Sequence, residues 1–189
     1  MKIGLVGEHP NDSDCIENLL SRYYDHEYFK LIRQVTGSQL DEKNNTKLKR
    51  QIRLEYEWEK PTVVIFIRDL DATRQSSDYQ QKRNFRNQYF ADFRSVVDGK
   101  ALFLLHIYEL EALLLADLDT VNDQLGTQIT IDVAPEEVVE PKEWLEEATE
   151  KKYNSSKNPR LFKELDLKRL TANCGYFRRF IKDFETQLN

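Results

Sequence analysis

Six consecutive residues, Thr62-Val63-Val64-Ile65-Phe66-Ile67, constrain this chain more than any others. They are β-branched or aromatic almost throughout, which favours extended backbone. They are apolar on both faces, as a central strand of a parallel sheet must be. Parallel neighbours need long crossovers, so such a strand predicts alternation with helices. The alternation is visible on both sides of it. Lys2 to Gly7 and Ala101 to Ile107 read as further buried strands, and Tyr28 to Val35 as a weaker one closed by Thr36-Gly37-Ser38. Between them, apolar residues recur at helical spacing at Ile16, Leu19, Leu20, Tyr23 and Tyr24, at Leu48, Ile52 and Tyr56, and at Phe85, Tyr89, Phe90 and Phe93. In the loop before the first helix, Asp12 or Ser13 is the expected N-cap.

The order predicts an α/β fold: three layers around a mostly parallel four-stranded sheet, with additional C-terminal helices. Residues 1–118 form the expected core. A helix from Glu109 to Leu118 closes it, and a weakly patterned connector follows over 119–142. Residues 119–189 form a helical extension packed on the core, with helices expected at 144–152, 159–165 and 176–188.

No run approaches the ~20 apolar residues of a membrane span. Cys15 and Cys174 lack metal-type spacing, and the apolar N-terminal stretch ends at Glu8, too soon for a signal peptide. These features predict a cytoplasmic protein with reduced thiols. The net charge of −5 argues against a general nucleic-acid coat, but not against a nuclease, whose active site is itself acidic. The charge is also segregated. Between Glu109 and Glu150 Lys142 is the sole base, whereas Lys and Arg dominate from Lys151 onward. The basic tail is either a phosphate-tracking surface or a partner of the acidic segment.

Ligands of open parallel sheets bind beyond the carboxyl ends of the strands. There the chain places acids: Glu8 after the first strand, Asp69 and Asp71 after the third, Glu109 and Glu111 after the fourth. Clustered carboxylates resist ionisation without a cation, and hard oxygen ligands suit Mg²⁺ or Mn²⁺. In an Asp-x-Asp that stays extended, both side chains point the same way and can share an ion. Each acid also has a plainer explanation, as a turn former or a helix-start residue.

The Gly7-Glu8 turn, the Asp69-Leu70-Asp71 motif and the acidic fourth motif together resemble a TOPRIM domain, the metal-binding fold of topoisomerases, primases and overcoming-lysogenization-defect nucleases. The stretch from Tyr108 to Asp117 is similar to a Glu-aromatic-Glu-Ala-Leu-Leu signature of a TOPRIM-like family of small bacterial proteins often encoded beside an ATPase. The Lys157-Asn158-Pro159 segment and the helix around Phe177 to Phe184 also look like that family. The resemblance implies that Glu8, Asp69, Asp71 and Glu109 are catalytic, and that these four with Glu111 hold Mg²⁺ or Mn²⁺. It departs from the TOPRIM pattern at His9-Pro10, where many members have glycine. That departure disfavours strand passage and primer synthesis and leaves hydrolysis open.

The implied function is a Mg²⁺-dependent phosphoryl-transfer enzyme, a nuclease acting on phosphodiesters in anti-phage defence with an ATPase partner. Nucleic acid is the expected ligand, and a homodimer is compatible. The alternatives are a non-catalytic module serving an ATPase or a nucleic-acid complex, and a hydrolase of small nucleotides. His9 either contacts phosphate or is a turn residue, and Arg68 and Arg74, which flank the aspartates, either clamp phosphate or neutralise the acids. Lys82, Arg83 and Arg86 sit at a helix start, where either a bound anion or an exposed helix surface would explain them. His106, in an apolar strand, reads as a core histidine. No Walker-type loop is present, so any ATPase activity belongs to a partner.

Overall fold

The computed structural model describes residues 1–32 and 45–188. Strands β1 (Lys2–Val6), β2 (Glu27–Lys30), β3 (Val63–Asp69) and β4 (Ala101–His106) form one sheet in the order β2-β1-β3-β4. All three pairings are parallel. Helices α1 (Pro10–Leu20), α2 (Thr46–Glu59) and α3 (Tyr79–Val96) make the three crossovers. The α/β architecture expected from the sequence is the one observed. The predicted strand beyond residue 32 and its Thr36-Gly37-Ser38 turn lie outside the described residues.

β3 is central and alternates between two cores. Val63, Ile65 and Ile67 join a cluster with Cys15, Ile16 and Leu19 of α1. Val64 and Phe66 point the other way, to Leu48 and Ile52 of α2 and Tyr89 and Phe93 of α3. A strand dry on both faces thus receives helices on both faces, making three layers. Tyr89 and Phe93 of the aromatic stripe of α3 are core, and Phe90 packs beside them, stacked on Phe103 at 4.7 Å between centroids; Phe85, a turn earlier, is only half-buried.

Beyond β4 the chain is helical: α4 (Ala112–Ala116), α5 (Leu118–Leu125), α6 (Pro141–Ala148), α7 (Asn158–Phe162), α8 (Leu167–Asn173) and α9 (Gly175–Leu188), with 3₁₀ turns at Pro135–Glu137 and Ser155–Lys157. The single helix expected from Glu109 to Leu118 is instead two, broken at Asp117. That carboxylate accepts from Thr120 N and Asp166 N and pairs with Arg169 at 2.9 Å, so it caps α5 and anchors α8 together. Leu113, Leu145, Phe162 and Phe177 share the α1-side cluster, so the C-terminal helices complete one core with the sheet. No helix among the described residues is long and apolar enough to cross a membrane.

His106 closes β4 with no exposed surface, its Nδ1 3.0 Å from the hydroxyl of Tyr176 on α9. Burial pushes its pKa down to about 3. The unfolded chain gains a proton near the usual 6.5 that the folded chain refuses, so stability is full above that pH and falls as pH drops towards 3. Urea unfolding at pH 7.0 and 5.5 is expected to show wild type losing about 1 kcal/mol more than His106→Gln, which cannot titrate. Equal losses would show that His106 does not titrate in this way.

Candidate functional site: an acidic cluster at the strand tips

The crossover through α1 leaves β1 towards β2, while the crossover through α3 leaves β3 towards β4. β1 and β3 are therefore neighbours whose connections diverge, and the crevice at their carboxyl ends is where such sheets take ligands. The chain places Glu8 and Asp69 there.

Glu8 follows a turn packed tightly around Gly7. A Cβ on Gly7 would lie 2.9 Å from Ser13 Oγ and 3.0 Å from the His9 carbonyl oxygen. The turn delivers Glu8 to β3: Oε1 accepts from Asp69 N at 3.0 Å, and Oε2 pairs with Arg68 Nη1 at 3.0 Å. Arg68 is 1% exposed, so its guanidinium is shielded from water, while the Glu8 side chain keeps 19%. The pairing with Glu8 is the neutralising arrangement, one of the two that the sequence left open.

The Asp-x-Asp motif is not extended throughout. β3 ends at Asp69, Leu70 is buried, and Asp71 is left-handed at φ 56°. Asp71 N donates to the Tyr108 carbonyl at 2.9 Å, which pins the turn. Arg86 clasps it from α3, donating from Nε to the Asp69 carbonyl at 3.0 Å and from Nη2 to Asp71 Oδ2 at 3.1 Å. Lys82 adds a bond to the Asp71 carbonyl at 2.7 Å. The bases at the start of α3 thus hold this turn. Asp71 is drawn towards Arg86, while the carboxylate of Asp69 makes no hydrogen bond or ion pair among the described residues.

Asp69 is where the electrostatics concentrate. Burial, followed by the charges of Glu8, Asp12, Glu111 and Asp71, holds its pKa well above the ordinary carboxylate range. Asp12 was legible only as a cap. It lies at the third position of α1, accepting from His9 N at 2.8 Å, while His9 Nδ1 accepts from Asn11 N at 3.2 Å. His9, not Asp12 or Ser13, is therefore the N-cap, with Pro10 fitting the first helical position. Burial, then the charges of Glu8 and Glu111, pushes Asp12 up to about 7, with Arg68 opposing.

Glu109 and Glu111 divide. Glu111 is buried and is the one that acts on Asp12 and Asp69. Glu109 is half-buried and raised to about 7 by burial, then by Glu111 and Glu143, and its buried Oε2 has no hydrogen-bond partner among the described residues. Arg74 pairs with Glu136 at 2.6 Å, which ties the loop after the motif to the 3₁₀ turn before α6.

Four acids from three strand ends and one helix start thus meet electrostatically. Among the described residues, however, no three acidic, histidine or cysteine side chains are gathered in a metal-ligating group. The donor set is all oxygen, which suits Mg²⁺. That ion keeps several waters and is commonly held by one or two carboxylates plus substrate phosphate.

A family model described as a domain of unknown function, DUF4276, matches residues 8–185. No curated protein and no solved structure matches the chain.

The raised Asp12 has a measurable cost. Its folded form keeps a proton that the unfolded chain releases near 3.8, so stability falls as pH rises from about 4 to 7. Asp12→Asn keeps an acceptor for His9 N and removes this cost. With chelator present, thermal unfolding is expected to show the variant more stable than wild type by roughly 1–2 kcal/mol at pH 8, allowing for partial solvation, and by less at pH 5. A gain independent of pH would assign the effect to something other than this charge.

Proposed function

The chain belongs to the DUF4276 family, and we propose that it is a Mg²⁺- or Mn²⁺-dependent TOPRIM-like phosphodiester hydrolase, a nuclease. The observation that carries this reading is the junction of β1 and β3, where Glu8 meets the backbone of Asp69 at 3.0 Å and the Asp69 carboxylate meets no base among the described residues. A cation there relieves repulsion that otherwise holds a proton on the cluster.

In this reading Asp69 and Glu111 hold the ion, and Glu8, fixed by Arg68, completes the acidic wall. Asp71 stays at the rim with Arg86. A bound Mg²⁺ or Mn²⁺ would polarise a phosphate oxygen and lower the pKa of a coordinated water. Asp12, poised near neutral pH, is placed to take the proton of an attacking water or return it to the leaving oxygen. A groove of about 410 Å³ between α8 and α9, lined by Tyr23, Lys168, Arg178 and Lys182 among others, offers a basic and aromatic surface for a nucleic-acid backbone. An ATPase partner and a role in anti-phage defence belong to the same proposal and rest on the resemblance; a cytoplasmic setting belongs to it too and rests on the cysteine usage and the short apolar N-terminal stretch.

A second reading is favoured by the ion pairs Arg68–Glu8 and Arg86–Asp71, which neutralise two of the acids internally. Under it the site is structural and the chain is a binding module for an ATPase or a nucleic-acid complex. Calorimetry with Mn²⁺ separates the two, since only the metal-dependent reading requires binding.

Incubation with single-stranded DNA, duplex DNA, RNA and nucleotides in Mn²⁺ is expected to show cleavage of at least one polymer. Asp69→Ala should lose about 100-fold or more of that rate while remaining folded. Equal rates in wild type and variant would remove Asp69 from the chemistry.

A further inference from the structure

Behind Glu111 lies a polar assembly that the sheet itself does not need. Glu111 is 6% exposed, Tyr153 1% and Asn158 3%. Burying three polar side chains is unfavourable unless each is satisfied. The three side chains meet one another. Asn158 Nδ2 donates to Glu111 Oε1 at 2.9 Å, and the Tyr153 hydroxyl, with one proton to give, lies 2.9 Å from the same Oε1 and 2.7 Å from Asn158 Oδ1. With that proton on the carboxylate, the charged acceptor, one oxygen of Glu111 is held from behind by two groups. The other, Oε2, makes no hydrogen bond among the described residues, and the residue keeps 6% of its surface. The charge of Glu111 reaches both Asp12 and Asp69.

The chain goes to some expense to build this grip. Between α6 and Tyr153, Glu150 and Lys151 are both left-handed, at φ 52° and 63°. Neither is glycine, and each costs of order 1 kcal/mol. The turn is closed by Lys151 N on the Glu146 carbonyl at 2.8 Å, and Tyr153 N is fixed by Thr149 Oγ1 at 2.9 Å. Asn158 opens α7, whose Pro159 carbonyl accepts from Asn18 of α1 at 2.8 Å. Well-packed apolar residues could fill the same space without a carboxylate to desolvate.

We infer that Tyr153 and Asn158 are positioning residues: by holding Oε1, they present Glu111 Oε2 to a divalent cation at the tips of β1 and β3. This rests on the metal-dependent reading above. Partners of ligating carboxylates orient the ligand and set its affinity, and losing one costs about 10–100-fold.

The test is Mn²⁺ binding by calorimetry in five proteins: wild type, Tyr153→Phe, Asn158→Ala, Glu111→Gln and the Tyr153→Phe/Glu111→Gln double variant, each checked for folding by circular dichroism. Tyr153→Phe keeps the ring, and Asn158→Ala serves as the second probe. Tyr153→Phe and Asn158→Ala are each expected to weaken binding about 10–100-fold. In the Glu111→Gln background, Tyr153→Phe should change nothing further, because its effect runs through Glu111. Wild-type affinity in Tyr153→Phe, or an equal loss in both backgrounds, would overturn the positioning role while leaving the metal reading intact. No Mn²⁺ binding by wild type would overturn the metal reading and this inference with it.

Discussion

The contact between Glu8 and the start of the Asp69 turn joins the two strands from which everything else diverges. It spans β1 and β3 at the point where the crossovers part, using a backbone amide on one carboxylate oxygen and a buried guanidinium on the other. A carboxylate here without those donors would be desolvated and unpaired, at a cost of several kcal/mol. With Oε1 and Oε2 of Glu8 occupied, the remaining acids crowd around Asp69 with less compensation. The electrostatic tension of the site is thus created by where the positive charge is placed as much as by the number of carboxylates.

The C-terminal helices are part of that arrangement. Tyr176 of α9 meets His106 at the end of β4, and Asn173 donates to the Ala116 carbonyl at 2.8 Å. Asp117 and Arg169 stitch α5 to α8. The acidic and basic segments that look separate along the sequence are joined in part by this pair, which Asp119 extends at 3.3 Å. The helices cover the α1 face of the sheet, and the chain needs them to keep that face dry.

The sheet was legible because Val63 to Ile67 leave no polar face, and the strand tips followed from the rule for parallel sheets. Side-chain direction past the tips was not. Asp71 leaves the extended path because Arg86, on the next helix, and the Tyr108 carbonyl, past the next strand, turn it. No local pattern around Asp69-Leu70-Asp71 carries that information. Asp12 reads as a helix cap, which it is in part, and its charged surroundings come from residues far along the chain. Between Glu109 and Glu111 the spacing could not choose. Burial distinguishes them: Glu111 is enclosed with Tyr153 and Asn158, 42 and 47 residues downstream of it. Neither of those belongs to a strand tip.

Those two hydrogen bonds also fix when the molecule can be complete. Translation delivers the amino-terminal part first, and domains begin to form as they emerge from the ribosome. β1 to β4 are all made by residue 106, so the sheet can close early. Glu111 then waits for Tyr153 and Asn158, and until both have left the exit tunnel its buried oxygen lacks its full set of partners. A growing chain therefore carries the strands long before it carries a finished acidic cleft.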